Sequence, residues 1–564
     1  MNESPIITSD GTTTGHSNMS HRQILVVMSG LMLGLFLAAL DQTIIATALP
    51  QIATHLGGIR YISWVVAAYL LTSTVTTPLY GKISDIFGRK GIFQFAIVIF
   101  LIGSALCGQS RNIWELIAFR AVQGIGGGGL LALAMAIMGD IVSPRERGRY
   151  QGLFGSVFAL ATVVGPLVGG TLVDDISWRW IFYINVPIGI VALVVIGTVL
   201  RFEFSRREHS IDYVGASLIT GAVSALLLVT VWGGTQYRWG SSVIVSLAAA
   251  GGVGTVAFLL WERRAVEPLL PLSLFSTSVF NVASSITFIL TLVMYGAVIY
   301  LPVYFELVRG DSATTAGLML IPIMGGMIVT STATGFAVTR TGRYKIFPLV
   351  GTAVMTLGVW LMSSMSLSTS YWELSLKMVL LGIGMGSIMQ IMVIATQNAV
   401  DPRDLGTATA ANRFFGTLGG AFGTSLLGTV LDSRLEYWIP RLAPRQVAGR
   451  LASHASEIVN SPGAVRALPP VLRRTVDEAF IRSLHTVFLI AVPFAAASFL
   501  LAWALKEVRL RKTSGLHAAA NARQRDAAGN GAEPTTKAQS GDVAGNGAER
   551  NHVGVRVGEQ GGYA

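Results

Sequence analysis

Hydrophobic positions in this chain do not alternate with polar ones; they run together. Fourteen apolar runs lie at about 24–49, 62–80, 91–109, 113–139, 151–173, 180–200, 212–232, 241–260, 279–305, 314–338, 347–366, 373–399, 406–431 and 484–505. Each is long enough to cross a bilayer as a helix, which predicts an all-α polytopic membrane protein. Lys and Arg are shared unevenly among the loops between runs. One set holds Lys82, Arg89, Lys90, Arg145, Arg147, Arg149, Arg201, Arg206, Arg207, Arg263, Arg264, Arg340, Arg343, Lys345 and Arg403. The opposite set holds Arg60, Arg111, Arg179, Arg238 and Arg309. The positive-inside rule therefore places the N-terminus in the cytoplasm, and an even number of spans places the C-terminus there too.

The two ends of the chain repeat one another. Trp114-Glu115-Leu116 returns as Trp372-Glu373-Leu374, a shift of 258. Gly124-Ile125-Gly126 returns as Gly382-Ile383-Gly384, Pro144-Arg145-Glu146 as Pro402-Arg403-Asp404, and Gly165 as Gly423, in the same register. The predicted organisation is a cytoplasmic segment (1–23), a six-helix half (24–200), a two-helix insertion (201–278), a second six-helix half (279–505) and a tail (506–564). Parallel repeats with a substrate site between them are a transporter plan that works by rocking one half against the other. Residues 432–483 read as a long outer loop ending in an amphipathic helix, a lid over the outer mouth or a docking site for a periplasmic partner. The tail is rich in Gly, Ala and Asn and repeats Ala-Gly-Asn-Gly-Ala-Glu at 528–533 and 544–549, a composition that reads as disordered.

Composition agrees with a membrane protein: 52% hydrophobic against 13% charged, where soluble domains carry about 25% charged residues. The net charge of +11 lies largely in short loops, so topology explains it better than nucleic-acid binding does. One cysteine, Cys107, allows no disulfide within the chain, and no His/Cys cluster suggests a metal. No removable signal peptide is visible, and no G-x-x-x-x-G-K-[ST] motif offers ATP drive. No cofactor is expected.

Against this background Asp41 stands out. It is the one formal charge in the first run, and a carboxylate at membrane depth costs roughly 2.5–3.5 kcal/mol on insertion scales. Such a residue reads as a proton or cation site facing a protein-lined cavity. The plainer reading is a carboxylate near the outer leaflet, satisfied by Thr43 and Thr47. Arg120, with Gln123, lies at membrane depth in the fourth run and needs a counter-charge, for which Asp41 is a candidate. The glycines 124–129 formally match G-x-G-x-x-G, but no strand precedes them; they suit close helix packing. Tyr300, Tyr304, Met389, Gln390, Asn412 and Arg413 are further polar or polarizable candidates for a cavity lining. The Met385, Met389, Met392 stripe reads first as packing.

Four motifs carry a family resemblance. Gly81-Lys82-Ile83-Ser84-Asp85-Ile86-Phe87-Gly88-Arg89-Lys90 permits a turn at its glycines, offers Asp85 as a helix cap and Arg89 and Lys90 as carboxylate partners. It resembles the loop between helices two and three of the major facilitator superfamily, which implies a cytoplasmic gate at Gly81, Asp85, Gly88, Arg89 and Lys90. The corresponding loop, Gly335 to Lys345, has Thr339 in place of the acid. Arg120-x-x-Gln123-Gly124 resembles that superfamily's fourth-helix signature, which implies that Arg120 assists proton transfer. Gly152, Gly165, Pro166, Gly169 and Gly170 encode a kinked, closely packed helix. They also resemble the fifth-helix signature of antiporters, with Ala161 where a glycine is usual. Leu40-Asp41-Gln42-Thr43 with Ala48-Leu49-Pro50 resembles the first-helix signature of the fourteen-span drug:proton antiporters of QacA/EmrB type.

The resemblance implies a major facilitator fold and a proton-coupled antiporter that exports lipophilic or cationic small molecules, no enzyme, in a plasma (inner) membrane. Partners are then the substrate, protons and the lipid bilayer. Two other readings stay open: export of an endogenous lipid or secreted metabolite, and a non-transporting sensor on the same fold. Composition fits a bacterial chain.

Overall fold

The computed structural model describes residues 21–56, 62–142, 146–199, 212–233, 237–265, 268–401, 404–443, 465, 468–508 and 510. These residues are overwhelmingly helical. In chain order the helices are α1 (His21–Leu56), α2 (Ile62–Phe87), α3 (Arg89–Gln109), α4 (Ile113–Ile141), α5 (Arg147–Asp175), α6 (Trp180–Tyr183), α7 (Asn185–Val199), α8 (Tyr213–Trp232), α9 (Ser242–Glu262), α10 (Ser273–Ser276), α11 (Ser278–Leu307), α12 (Ala313–Leu318), α13 (Ile321–Thr341), α14 (Ile346–Ser363), α15 (Tyr371–Ala399), α16 (Leu405–Leu442) and α17 (Pro470–Ala504). Among the described residues, twelve helical segments are long and apolar enough to cross a membrane. α2 and α5, of 26 and 29 residues, are not among the twelve.

The repeated sequence motifs have a common physical role. Asn112 caps α4, its side chain accepting from Glu115 N at 2.9 Å, while Glu115 returns bonds to Arg111 N and to Asn112 Nδ2. Ser370 caps α15 in the same way through Glu373 N at 3.2 Å. Both are side-chain caps that satisfy an orphan N–H at the helix start. The paired glycines that follow are where these helices meet their neighbours. A Cβ on Gly124 would strike α2 at Tyr69 O, and one on Gly126 would lie 2.6 Å from Ala96 O on α3. Gly382 meets Ile323 O on α13, and a Cβ on Gly384 would lie 2.7 Å from Met355 Cα on α14. Because the colliding atoms are backbone, no rotamer change relieves them. Gly126→Ala is therefore expected to part α3 from α4 and destabilise the protein by about 1–3 kcal/mol. A lowered midpoint in thermal unfolding of the detergent-purified protein would show it.

Two apolar cores result. One gathers residues of α1–α7, with Phe93, Phe100, Leu133 and Phe154 fully buried. The other gathers residues of α11–α17, and Met385 and Met392 lie inside it as packing. α8 and α9 pair with each other and reach both groups through a third cluster: Ile219, Val223, Leu227 and Phe258 pack with Val75 of α2 and with Ala408, Ala411 and Phe414 of α16. Trp64 of α2 stacks edge-on against Trp232 of α8 at 5.1 Å, and Trp239 Nε1 donates to Thr429 Oγ1 of α16. Outward faces are apolar, as lipid contact requires: Val253 is 70% exposed, Leu500 69% and Val329 68%.

The outer connection expected over 432–483 is helical at both ends. α16 continues to Leu442, and α17 begins at Pro470. At 1.5 Å per residue these helices are about 57 and 52 Å long, well beyond a hydrocarbon core of about 30 Å. The reason is a stripe the intervening charges conceal: Leu427, Leu431, Leu435 and Ile439 recur every fourth residue and are all buried. They face Val476, Ala479, Phe480 and Leu484 of α17 in the same cluster. The predicted amphipathic helix there is thus the first part of α17, with Arg482 over the ring of Trp438 at 4.8 Å. Residues 444–464 of that connection, most of the tail and residues 1–20 lie outside the described residues.

Candidate functional site

α1 and α4 cross so that Asp41 meets Arg120. Arg120 Nη1 donates to Asp41 Oδ2 at 2.7 Å, and both side chains are 1% exposed. The other carboxylate oxygen is also occupied: Gln123 Nε2 donates to Asp41 Oδ1 at 2.8 Å and Asn185 Nδ2 at 3.2 Å. Arg120 is held from three further directions. Nη1 donates to Gln123 Oε1 at 2.8 Å, Nε donates to Val65 O at 3.2 Å, and the guanidinium lies 4.3 Å from the centre of the Tyr69 ring. Asn185 in turn donates to Ser104 Oγ at 3.0 Å. The pair is thus a charge-neutral, hydrogen-bonded cluster inside α1–α7, which is what makes two buried charges tolerable.

In this structure Asp41 does not open onto a cavity; it is sealed. Nor does it draw on the Thr43 hydroxyl. Thr43 Oγ1 donates instead to backbone carbonyls, including Ala161 O of α5 at 2.9 Å. The Thr47 side chain lies outside the described residues. Ser104, Tyr69 and Asn185 were not singled out from the sequence, because single neutral polar residues in an apolar run are common. Asn185, two residues before Pro187, was the most visible of them.

A second polar cluster lies at the predicted cytoplasmic end. Gly88 has φ +97°, which turns the chain from α2 into α3 and brings Arg89 back over Asp85. Arg89 Nη2 pairs with Asp85 Oδ1 at 2.6 Å, and Arg89 Nε with Asp140 Oδ2 of α4 at 2.7 Å. Asp85 then reaches the other helix group. Its Oδ2 accepts from Thr407 N at 3.1 Å and from Thr407 Oγ1 at 3.0 Å, capping the N-terminus of α16. Gly81 makes this approach possible: a Cβ there would lie 2.7 Å from Ala410 Cβ. Lys90 Nζ donates to Gly197 O of α7 at 2.8 Å and so stays within its own group. Beside this, Arg147 donates to Gln397 Oε1 at 2.9 Å and to Gly139 O. Gln397 Nε2 donates to Met135 O at 3.2 Å and Thr409 Oγ1 at 3.0 Å. Asp140, Arg147, Gln397 and Thr407 are thus partners in a bridge between α1–α7 and α11–α17 that the sequence motifs do not include. In the loop at 335–345, Gly342, at φ +69°, ends α13, and the Tyr344 hydroxyl donates to Lys506 O at 2.9 Å.

α5 forms the other seam between the groups. Gly165 is pressed against Thr43 of α1, and a Cβ on Gly152 would lie 2.9 Å from Thr332 Cα of α13. Gly169 is buried and Gly170 half-buried in the same helix, which also contains Pro166. Of the remaining candidates, Tyr304 is core, its ring against Phe305, and Tyr300 donates to Thr424 O at 3.2 Å. Met389 is half-buried, Gln390 is 4% exposed beside Gly155, and Asn412 bonds to Ser284 and Thr287 of α11. Arg413 projects towards α5, its guanidinium 5.5 Å from the centre of the Phe158 ring. Among the described residues no group of three His, Cys, Asp or Glu is placed to hold a metal.

The model of the Major Facilitator Superfamily matches residues 31–424. An uncharacterized MFS-type transporter of Mycobacterium tuberculosis is 40% identical over 487 residues, covering 86% of this chain and 70% of that one. The multidrug transporter protein MdtP of Bacillus subtilis is 35% identical over 517 residues, covering 87% of this chain and 94% of its own. Among solved structures, the proton:xylose symporter XylE superposes with a TM-score of 0.58 at 15% identity, covering 89% of this chain and all of that one, a likeness of fold. With helical architecture, a family match over residues 31–424 and transporter relatives covered over 70% and 94% of their own length, the chain belongs to the Major Facilitator Superfamily, as a multi-pass membrane transporter and not an enzyme.

Proposed function

We propose that this transporter is a proton-coupled antiporter that exports lipophilic or cationic small molecules by alternating access. The observation that carries the reading is the sealed Asp41–Arg120 pair. A carboxylate whose two oxygens are shared among Arg120, Gln123 and Asn185 holds its neighbours in one arrangement when charged and releases them when protonated. Thr43, two residues on, ties the same turn of α1 to α5, and α5 packs on α13. A proton on Asp41 therefore has a packed route to the seam between the helix groups. The bridge of Asp85, Thr407, Arg147 and Gln397 would be the closed cytoplasmic gate of the outward-facing state.

We take the molecule as two six-helix halves, 24–200 and 279–505, with α8 and α9 inserted. Counting α2 and α5 as spans gives fourteen, the number found in the QacA/EmrB-type branch. Both suit it, each being long enough and packed between other helices. Loop charges support cytoplasmic termini in a bacterial plasma membrane. The multidrug name of the Bacillus subtilis relative supports the substrate class. The long α16–α17 hairpin favours a second reading, delivery of a lipid or secreted metabolite at the outer face, where the two helical ends of 432–483 would meet it or a periplasmic partner.

Proteoliposomes with an imposed pH gradient test the first reading. Ethidium and a lumenal pH dye are followed together. Ethidium export with matching proton entry is the expected result; ethidium movement that ignores the gradient would sink it.

A further inference from the structure

Where the Asp41 cluster balances its charges, the seam between the helix groups does not. Arg413 lies on α16, six residues beyond Thr407, about 9 Å outward from the bridge that closes the cytoplasmic end. Its neighbours on the helix turn elsewhere: Asn412 bonds to α11, and Phe414 joins the apolar cluster with α8. Arg413 itself leaves its own helix group and reaches across to Phe158 of α5. Tyr295 of α11 interacts with it electrostatically and stacks against α16, where a Cβ on Gly420 would lie 2.9 Å from the ring. Among the described residues no carboxylate lies within ion-pair distance of the guanidinium, and nothing accepts a hydrogen bond from it. Asp41 is not free to serve, since Arg120 already neutralises it.

An unpaired guanidinium at membrane depth is expensive, and such residues line substrate paths. This one is half-buried beside the Phe158 ring, with Tyr295 close enough to interact with it electrostatically, at the seam where alternating access would expose a substrate. Its fork of N–H groups matches a carboxylate or another oxyanion, and the rings suit an aromatic or lipophilic body. We infer that Arg413, with Phe158 and Tyr295, forms an oxyanion subsite, so that the transported compounds include lipophilic organic acids. The inference rests on the export reading for its purpose, but not for its test.

Binding of 1-pyrenebutyrate, its methyl ester and 1-pyrenebutylamine to the purified full-length protein is measured by pyrene fluorescence, without any gradient. The wild type is expected to bind the acid about tenfold or more tighter than the ester or the amine. Arg413→Gln should bring the acid down to the level of the ester, and Arg413→Lys should keep part of the preference. Arg413→Glu should turn the preference to the amine, a gain that misfolding cannot produce. Equal binding of the three probes by wild type, or an acid preference that survives in both Arg413→Gln and Arg413→Glu, would overturn the inference. Separately, an acid preference in a protein that moves neither ethidium nor the pyrene probes under a pH gradient would leave the subsite standing and remove the exporter reading.

Discussion

In proteoliposomes carrying Asp41→Asn, an imposed pH gradient is expected to drive no ethidium export, although the protein still inserts and binds substrate. Asparagine keeps the shape of the side chain and can still meet Gln123 and Asn185. It carries neither the charge that fixes Arg120 nor the proton that would release it. Part of the effect will be structural. Removing one partner of a buried pair leaves the other charge uncompensated, at about 3–5 kcal/mol. The double substitution Asp41→Asn with Arg120→Gln removes both charges together and should regain most of that stability. It should not regain coupled export. Thermal unfolding and flux read on the same preparations separate the two effects. Full export by Asp41→Asn would remove Asp41 from the mechanism.

Asp85→Asn should loosen the end of the molecule where α2 meets the start of α16. Asp85 joins two helix groups with one carboxylate: one oxygen pairs with Arg89, the other takes both Thr407 bonds. Hydrogen bonds to a charged group contribute about 1.5–3 kcal/mol each, so their loss favours the open gate by at least about tenfold. Hydrogen exchange reads this directly. Amides of 81–88 and 405–411 should exchange about tenfold faster than in wild type, while those around Asp41 stay as they were. Unchanged exchange at both segments would mean that Gln397 and Arg147 hold this end closed without Asp85.

What the sequence disclosed followed charge and hydropathy. Asp41 and Arg120 were legible because each is a lone charge in an apolar run, where its presence demands a partner. Their pairing was not, since 79 residues separate them and only the crossing of α1 and α4 brings them together. Asn185 and Ser104 escaped because neutral polar side chains carry little penalty in a helix that satisfies its own backbone. Arg147 reads as one more loop cation, yet it is 1% exposed, because α5 starts four residues before the apolar run that announces it. Asp140 fell just past the run that became α4 and was missed for the same reason. The helical continuation of α16 was hidden by Asp432, Arg434 and Glu436, which sit between the buried positions of its leucine stripe. The glycine repeat was legible as a repeat, but its purpose needed neighbours: backbone atoms of α2, α3, α13 and α14 occupy the space each missing Cβ would fill.

The third apolar cluster has a consequence for traffic between the lipid and the protein. α8 lies along the seam where α2 meets α16, with Trp64, Trp232 and Trp239 closing one end of it. Among the described residues, the opposite seam, where α5 meets α13, is not packed against by α8 and α9, and there the contact is made by glycine against backbone. A molecule dissolved in the bilayer thus meets a molecule with a walled side and a bare side. A sideways path to the centre, if the molecule has one, would find less packed helix in its way on that second side.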